Sequence, residues 1–245
     1  MVSEQLEFNV KNFEHRKAYM LQKLSDALDK NEVDRDIIVH LGLLNRLSFC
    51  FTTSSCSGRI ALIDAPLIGP KYESKKVHRW HDIVKPEDVW NKITEYTPSH
   101  ILWLKFDSFI ISFSVCSIRW AMFFIKLARY MNLKDSGIRS INPKAGYINM
   151  DFMSTEKISV PVKTSTSILL DKDSMVHIIK IANFLMRKNK IKLQMLRECL
   201  ELIVRYVESG HNEPPQLRIF DPVIKKYRDE LARLRNSRTF RMYDH

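Results

Sequence analysis

Glycine and cysteine are both scarce in this chain, with six of one and four of the other in 245 residues. No Gly-x-Gly loop follows a strand-like run, so a Rossmann-type nucleotide site is not expected. The cysteines at 50, 56, 116 and 199 form no CxxC pair and no metal-ligand spacing. A disulfide framework and a metal centre are therefore not expected, and a reducing, cytoplasmic setting is. Long apolar runs are missing too. Phe109 to Ile118 is ten residues with three serines among them, against about 18 needed to cross a bilayer. Met1 to Lys17 has no apolar segment of the kind a secretion signal requires, so neither export nor a membrane partner is expected.

Positive charge is in excess. Lys and Arg total 39 against 28 Asp and Glu, a formal +11, which favours polyanionic partners such as nucleic acid or nucleotide phosphates. There is no internal repeat and no low-complexity segment.

Hydrophobic spacing predicts helices over Phe13 to Leu28, from Asp34 through Leu44, after Pro86, over Arg119 to Leu133 and from Asp173 onward, with a break, if any, near Asn189. Asp34 is placed to cap the second of these through its side chain. Strands are expected at Phe49 to Phe51, Ile60 to Ile63, Ile101 to Phe106, Phe109 to Val115, Tyr147 to Met153, Ile158 to Val162 and, less clearly marked, Ser167 to Leu170. The fold class is α+β: a mixed sheet of about six strands flanked by helices, not a Rossmann arrangement. One domain is expected over 1–209. Residues 210–245 follow as a linker and a basic C-terminal helix that opens at Asp221-Pro222, with eight Lys or Arg against four Asp or Glu from Gln216 onward. Trp103, Trp120, Phe123 and Phe124 sit on apolar stripes and are assigned to the core.

Thr52-Thr53-Ser54-Ser55-Cys56-Ser57-Gly58-Arg59 concentrates five hydroxyls, a thiol, a glycine and a fixed cation in eight residues. Small side chains let a ligand approach the backbone, Gly58 can adopt positive φ, and Arg59 can pair a carboxylate or phosphate bidentately. The plainer alternative is a Ser/Thr-rich turn between two strands that satisfies itself. A second cationic segment, 66–80, carries Lys71, Lys75, Lys76 and Arg79 and reads as a loop.

The Thr-Thr-Ser-Ser-Cys-x-Gly-Arg run after a short strand resembles the tRNA wybutosine-synthesising methyltransferases of the third type. The similarity extends through Val33-Asp34, the helix up to Asn45, Trp80-His81, Lys105-Phe106, Phe109-Ile110, Ser136-Gly137-Ile138, Ser154-Thr155, Val160-Pro161 and Ala182-Asn183, about residues 15 to 205. The chain departs from that pattern at Ser108 and Ser112, where relatives usually carry Pro and His, at Met153 in place of Arg and at Asp135 in place of Asn. The resemblance implies methyl transfer from S-adenosylmethionine (AdoMet) to N4 of a 4-demethylwyosine-type base beside the anticodon of tRNA(Phe), with no obligate protein partner evident. The alternatives are a tRNA-binding paralogue that has lost methyl transfer and a small-molecule enzyme with Cys56 as nucleophile.

Methylation of a ring N–H requires a base near neutral pKa, and His81 is the candidate; Cys56 is a second catalytic candidate, as nucleophile or methyl relay. Ser54, Ser55, Gly58, Arg59, Ser136 and Gly137 are candidates for holding AdoMet. Lys71, Lys75, Lys76, Arg79 and Ser112 are candidates for the RNA substrate, with Arg233, Arg235, Arg238 and Arg241 as further phosphate contacts and Tyr72 and Trp80 for stacking.

Overall fold

The computed structural model describes residues 9–69 and 71–236. In chain order the elements are α1 (Val10–Asp29), a 3₁₀ turn (Arg35–Ile37), α2 (Ile38–Arg46), β1 (Cys50–Cys56), β2 (Arg59–Ala65), a 3₁₀ turn (Lys71–Glu73), β3 (Lys75–Trp80), α3 (Pro86–Glu95), β4 (Ile101–Asp107) and β5 (Ile110–Val115). They continue with α4 (Ile118–Tyr130), β6 (Gly137–Asn142), β7 (Tyr147–Met153), β8 (Lys157–Lys163), α5 (Lys172–Glu208), a 3₁₀ turn (Leu217–Phe220) and α6 (Asp221–Arg235). The chain is α+β, but its strands form two four-stranded sheets in place of one mixed sheet, and every named pairing is antiparallel. Each sheet belongs to its own compact unit.

The first unit comprises the chain up to Ser57, Phe109–Ser154 and everything from Ile191 onward. Its sheet runs β1-β5-β7-β6. Alternation sends Ile111, Phe113, Ile148, Met150 and Phe152 into a core with α2, α4, the second half of α5 and α6, in which Phe113 stacks on Phe152 at 4.8 Å between centroids. At one end the opposite face is covered by α1, whose Phe13 and Met20 close over Phe51 with Tyr147 alongside. Asn9 caps α1 by accepting from the Asn12 N–H at 3.1 Å. Gly146, at φ +84°, closes the β6–β7 hairpin; a Cβ there would meet the Asn9 carbonyl oxygen at 2.2 Å, so no other residue fits.

The second unit comprises Gly58–Ser108 and Thr155–Lys190, with sheet order β3-β2-β4-β8. Ile60, Leu62, Leu104, Phe106 and Val162 pack with Val89 and Ile93 of α3 and with Met175, Ile179, Ala182 and Met186 of α5. Pro86 at the first turn of α3, followed by Glu87 and Asp88, starts that helix as expected. Buried Asp64 accepts from the Tyr96 hydroxyl at 3.0 Å and from the N–H groups of Ser99 and His100 at 2.7 and 2.9 Å, fixing the turn that leads into β4.

Several expectations are corrected. Thr52 to Arg59 is not a loop: β1 and β2 consume all of it except Ser57 and Gly58, because the small hydroxyl residues pair in the ladder with β5. The end of the cationic segment, with Lys75, Lys76 and Arg79, is β3, an edge strand, where exposed Lys and Arg are compatible with half-unpaired backbone. α5 runs unbroken through Asn189, which is buried. Ser167 to Leu170 supplies only a single bridge, Ile168 to Lys163. Trp103 lies on the outer side of β4, its indole donating to the Ala65 carbonyl at 3.2 Å, whereas Trp120, Phe123 and Phe124 are buried. No described helix is long and apolar enough to cross a membrane.

Candidate active site

The hydroxyl-rich motif is organised by a β-bulge. Thr52 pairs with Phe113 and Ser55 with Ile111, so two residues of β1, Thr53 and Ser54, stand opposite the single Ser112 of β5. The bulge bends the strand and redirects its side chains. Thr52 points to the α2 side, where its N–H donates to the Asn45 carbonyl-type oxygen Oδ1 at 2.8 Å and its Oγ1 accepts from Asn45 Nδ2 at 2.9 Å. Past the bulge, the Ser55 hydroxyl is buried and without a hydrogen-bond partner, an uncommon condition that calls for a ligand or water.

Two clefts flank Thr53 and Ser54 within the first unit. The first, about 410 Å³, lies among α1, α2 and β1; it has an apolar wall of Leu24, Val33, Ile37 and Leu41, charged groups Arg16, Lys23 and Glu32, and the hydroxyls of Thr53, Ser54 and Ser55. The second, about 400 Å³, lies over the open half of the sheet and is lined by Arg16, Thr53, Ser54, Ser112, Ser114, Arg139, Asn149 and Asp151, with aromatic groups at its margin. Ser54, Ser55 and Ser112 thus line these clefts. Ser136 and Gly137 line neither: Gly137 opens β6, and the hydroxyl of Ser136 just before it accepts from the Met153 N–H at 2.9 Å while donating to the Met153 carbonyl at 3.2 Å.

Asp34 does not cap its helix. Its Oδ2 accepts from the N–H and hydroxyl of Ser57 at 2.8 and 3.2 Å, tying the start of α2 to the end of the motif. Cys56 is half-buried on β1 opposite Ile110. Burial pushes the Cys50 thiol far up and that of Cys199 up to about 12, so these two are unreactive packing groups.

In the second unit, Gly58 at φ +94° makes the turn into β2, and its carbonyl lies 3.2 Å from His81 Nδ1. A carbonyl only accepts, so Nδ1 is the donor in this contact. Arg59 Nε stands 4.0 Å from the Asp107 carboxylate. Lys75, Lys76 and Arg79 are exposed on β3, Lys71 lies in the 3₁₀ turn before it, and Tyr72 is 86% exposed. Trp80 packs partly on the core of this unit. Arg233 and Arg235 are in the last turn of α6; Arg238 and Arg241 lie outside the described residues.

Arg16, Lys23, Glu32, Arg139, Asn149 and Asp151 are the polar cleft residues that sequence reasoning missed. Only the polar alternation of Asn149 and Asp151 within an apolar strand pointed toward them.

Comparison with known proteins defines the class. Residues 15–202 match the family model described as Methyltransferase TYW3, and the chain belongs to this family: it is a methyltransferase. A Thermococcus sibiricus relative, 34% identical over 188 residues that cover 77% of this chain and 94% of its own length, is named tRNA(Phe) 7-((3-amino-3-carboxypropyl)-4-demethylwyosine(37)-N(4))-methyltransferase. A Xenopus laevis relative, 27% identical over 92% of this chain and 89% of its own, is named tRNA wybutosine-synthesizing protein 3 homolog. A solved Pyrococcus horikoshii protein superposes with a TM-score of 0.73 at 34% identity, covering 78% of this chain and 97% of that one.

Proposed function

We propose that this methyltransferase transfers a methyl group from AdoMet to N4 of a 4-demethylwyosine-type tricyclic base, the 7-(3-amino-3-carboxypropyl) form, on the 3′ side of the anticodon of tRNA(Phe) in the cytoplasm. Family membership across residues 15–202 carries this reading. The donor also fits a cleft of the first unit. A volume of about 410 Å³ is within the range of small-molecule sites. The Leu24, Val33, Ile37 and Leu41 wall suits a purine, Glu32 can accept from ribose hydroxyls, and Arg16 or Lys23 can meet a carboxylate. The buried, unpartnered Ser55 hydroxyl supplies a donor whose desolvation a ligand would offset.

Bound there, AdoMet would supply an electrophilic sulfonium methyl. The chain's own groups provide the rest. His81, whose Nδ1 donates to the Gly58 carbonyl, is the base that this reading assigns to the proton leaving the substrate nitrogen. Arg59 serves as an anion partner, and Cys56 stands in the motif as a small polarisable group. The exposed Lys75, Lys76 and Arg79, with Lys71 before them, meet RNA phosphates, and Tyr72 offers a stacking surface for an unpaired base.

Isothermal titration with AdoMet and S-adenosylhomocysteine tests the donor site, comparing the parent with Ala27→Trp and Arg59→Ala. Ala27 lines the first cleft without belonging to the motif, so a tryptophan there fills the cavity. Binding by the parent that Ala27→Trp abolishes supports the cleft; undiminished binding in that variant removes it. Transfer of labelled methyl to tRNA(Phe) carrying the demethylated base tests the reaction itself, and no transfer by the parent would overturn it.

A further inference from the structure

The second cleft of the first unit has a composition that the donor cleft lacks. The bulge makes Ser112 the single residue opposite Thr53 and Ser54, and Ser112 in turn pairs with Asp151, which pairs with Gly137 of β6. A polar row therefore crosses three strands, β1, β5 and β7, and ends at the side-chain-free Gly137 of β6. One register step along, Ser114 pairs with Asn149 and donates to its Oδ1 at 2.7 Å, while Asn149 Nδ2 donates to the Ser140 hydroxyl at 2.9 Å. Asp151 is 7% exposed, and Arg139 Nε donates to its carboxylate. Arg139 itself is half-exposed. Arg16 enters from α1, its guanidinium 5.2 Å from the Tyr19 ring centroid.

Its apolar lining residues Phe51, Phe113 and Met150 are almost fully buried and Tyr147 is half-buried, so no apolar wall like that of the first cleft is presented to a ligand. There is instead one largely buried carboxylate, two guanidinium groups and several hydroxyls around about 400 Å³. Opposed fixed charges lined by hydroxyls match a short zwitterion. Its carboxylate can take the Arg16 guanidinium and its ammonium the Asp151 carboxylate, with Ser112 between.

We infer that this cleft is a subsite for an α-amino acid group, and specifically for the 3-amino-3-carboxypropyl chain of the tRNA base. The inference rests on the substrate reading proposed above. It places donor and substrate chain on opposite flanks of Thr53 and Ser54, in two clefts that share those residues and Arg16. The methionyl end of AdoMet has the same α-amino acid chemistry, and the two sources are separable by experiment.

The test measures dissociation constants of the full chain for tRNA(Phe) bearing the tricyclic base with the amino-carboxypropyl chain and for the same tRNA bearing the base without it. The parent is expected to favour the chain-bearing tRNA by about tenfold or more, the scale of charge-assisted hydrogen bonds. Asp151→Asn, nearly isosteric, and Arg16→Gln, on the exposed side of α1, are each expected to bring that ratio within about threefold. Asp151→Asn should bind AdoMet as the parent does. Equal affinity of the parent for the two tRNAs overturns the inference, as does a ratio unchanged in both variants. Loss of AdoMet affinity in Asp151→Asn also overturns it, by assigning the cleft to the methionyl group. Discrimination in binding without methyl transfer to either tRNA would instead overturn the proposed reaction and leave the subsite standing.

Discussion

The Asp34 carboxylate accepts both donors of Ser57, the N–H at 2.8 Å and the hydroxyl at 3.2 Å, across 23 residues of chain. Ser57 is nearly fully buried, so its N–H has no water to turn to if the carboxylate is removed. Asp34→Ala should therefore cost about 2 kcal/mol of stability, the scale of hydrogen bonds to a charged group. Asp34→Asn, which keeps one acceptor oxygen, should cost less. Urea denaturation of the three proteins checks the order; equal midpoints would show that the contact does not hold the motif.

His40 is a second test of buried polarity. It lies on α2, 3% exposed, with Nε2 2.9 Å from the Leu193 carbonyl and Nδ1 unpartnered. Burial lowers its pKa below the usual 6.5; Arg197 acts the same way, and the Leu193 carbonyl, Asp36 and Glu201 oppose the shift. The folded protein thus holds this ring neutral while the unfolded chain protonates it near 6.5. Its stabilising contribution is complete above that value and is lost as pH falls from there through the lower folded pKa. The melting temperature of the parent should drop between pH 7 and 5 by more than that of His40→Gln, and parallel curves would refute the assignment.

The β3 cations should announce themselves through salt. Lys75 and Lys76 are exposed at the sheet edge, and each phosphate contact with single-stranded RNA contributes about 0.7 to the slope of log affinity against log salt. Lys75→Ala with Lys76→Ala should flatten that slope by about 1.4 for tRNA and leave AdoMet affinity alone. An unchanged slope would place the RNA on another face.

Elements with strong local signals were legible from sequence. Tyr147–Met153 is a strand at its expected limits because its apolar alternation is strong, and α3 starts at Pro86 because that residue is preorganised for a first turn. Gly137–Asn142 was not expected as a strand. Its last four residues are exposed, so it has no buried stripe to betray it, and only pairing with β7 makes it one. The motif was read as a loop for a related reason: Ser and Thr report turn propensity locally, while their strand state is imposed by β5.

The site divided along the same line. Ser54 and Ser55 stood out because they belong to the motif, and Ser112 because it departs from the pattern of the family this chain resembles. Asp151, Arg139 and Arg16 have no shared motif, and the strand order β1-β5-β7-β6 with α1 alongside gathers them from separate segments. A single sequence carries no record of that order.

The bulge at Thr53 and Ser54 has a consequence for the length of β1. With one extra residue inserted between the pairs Thr52–Phe113 and Ser55–Ile111, Thr52 and Ser55 share the side of the sheet toward α2, although three positions separate them. Remove either Thr53 or Ser54 and the strand reverts to simple two-residue phase, with both flanking pairs kept and one residue in place of two facing Ser112. Every other side chain keeps its face, and what disappears is the local bend and the paired hydroxyls that both clefts share. The extra residue is thus dispensable to the ladder, and a one-residue deletion here separates the pairing of the strand from the supply of hydroxyls to the clefts.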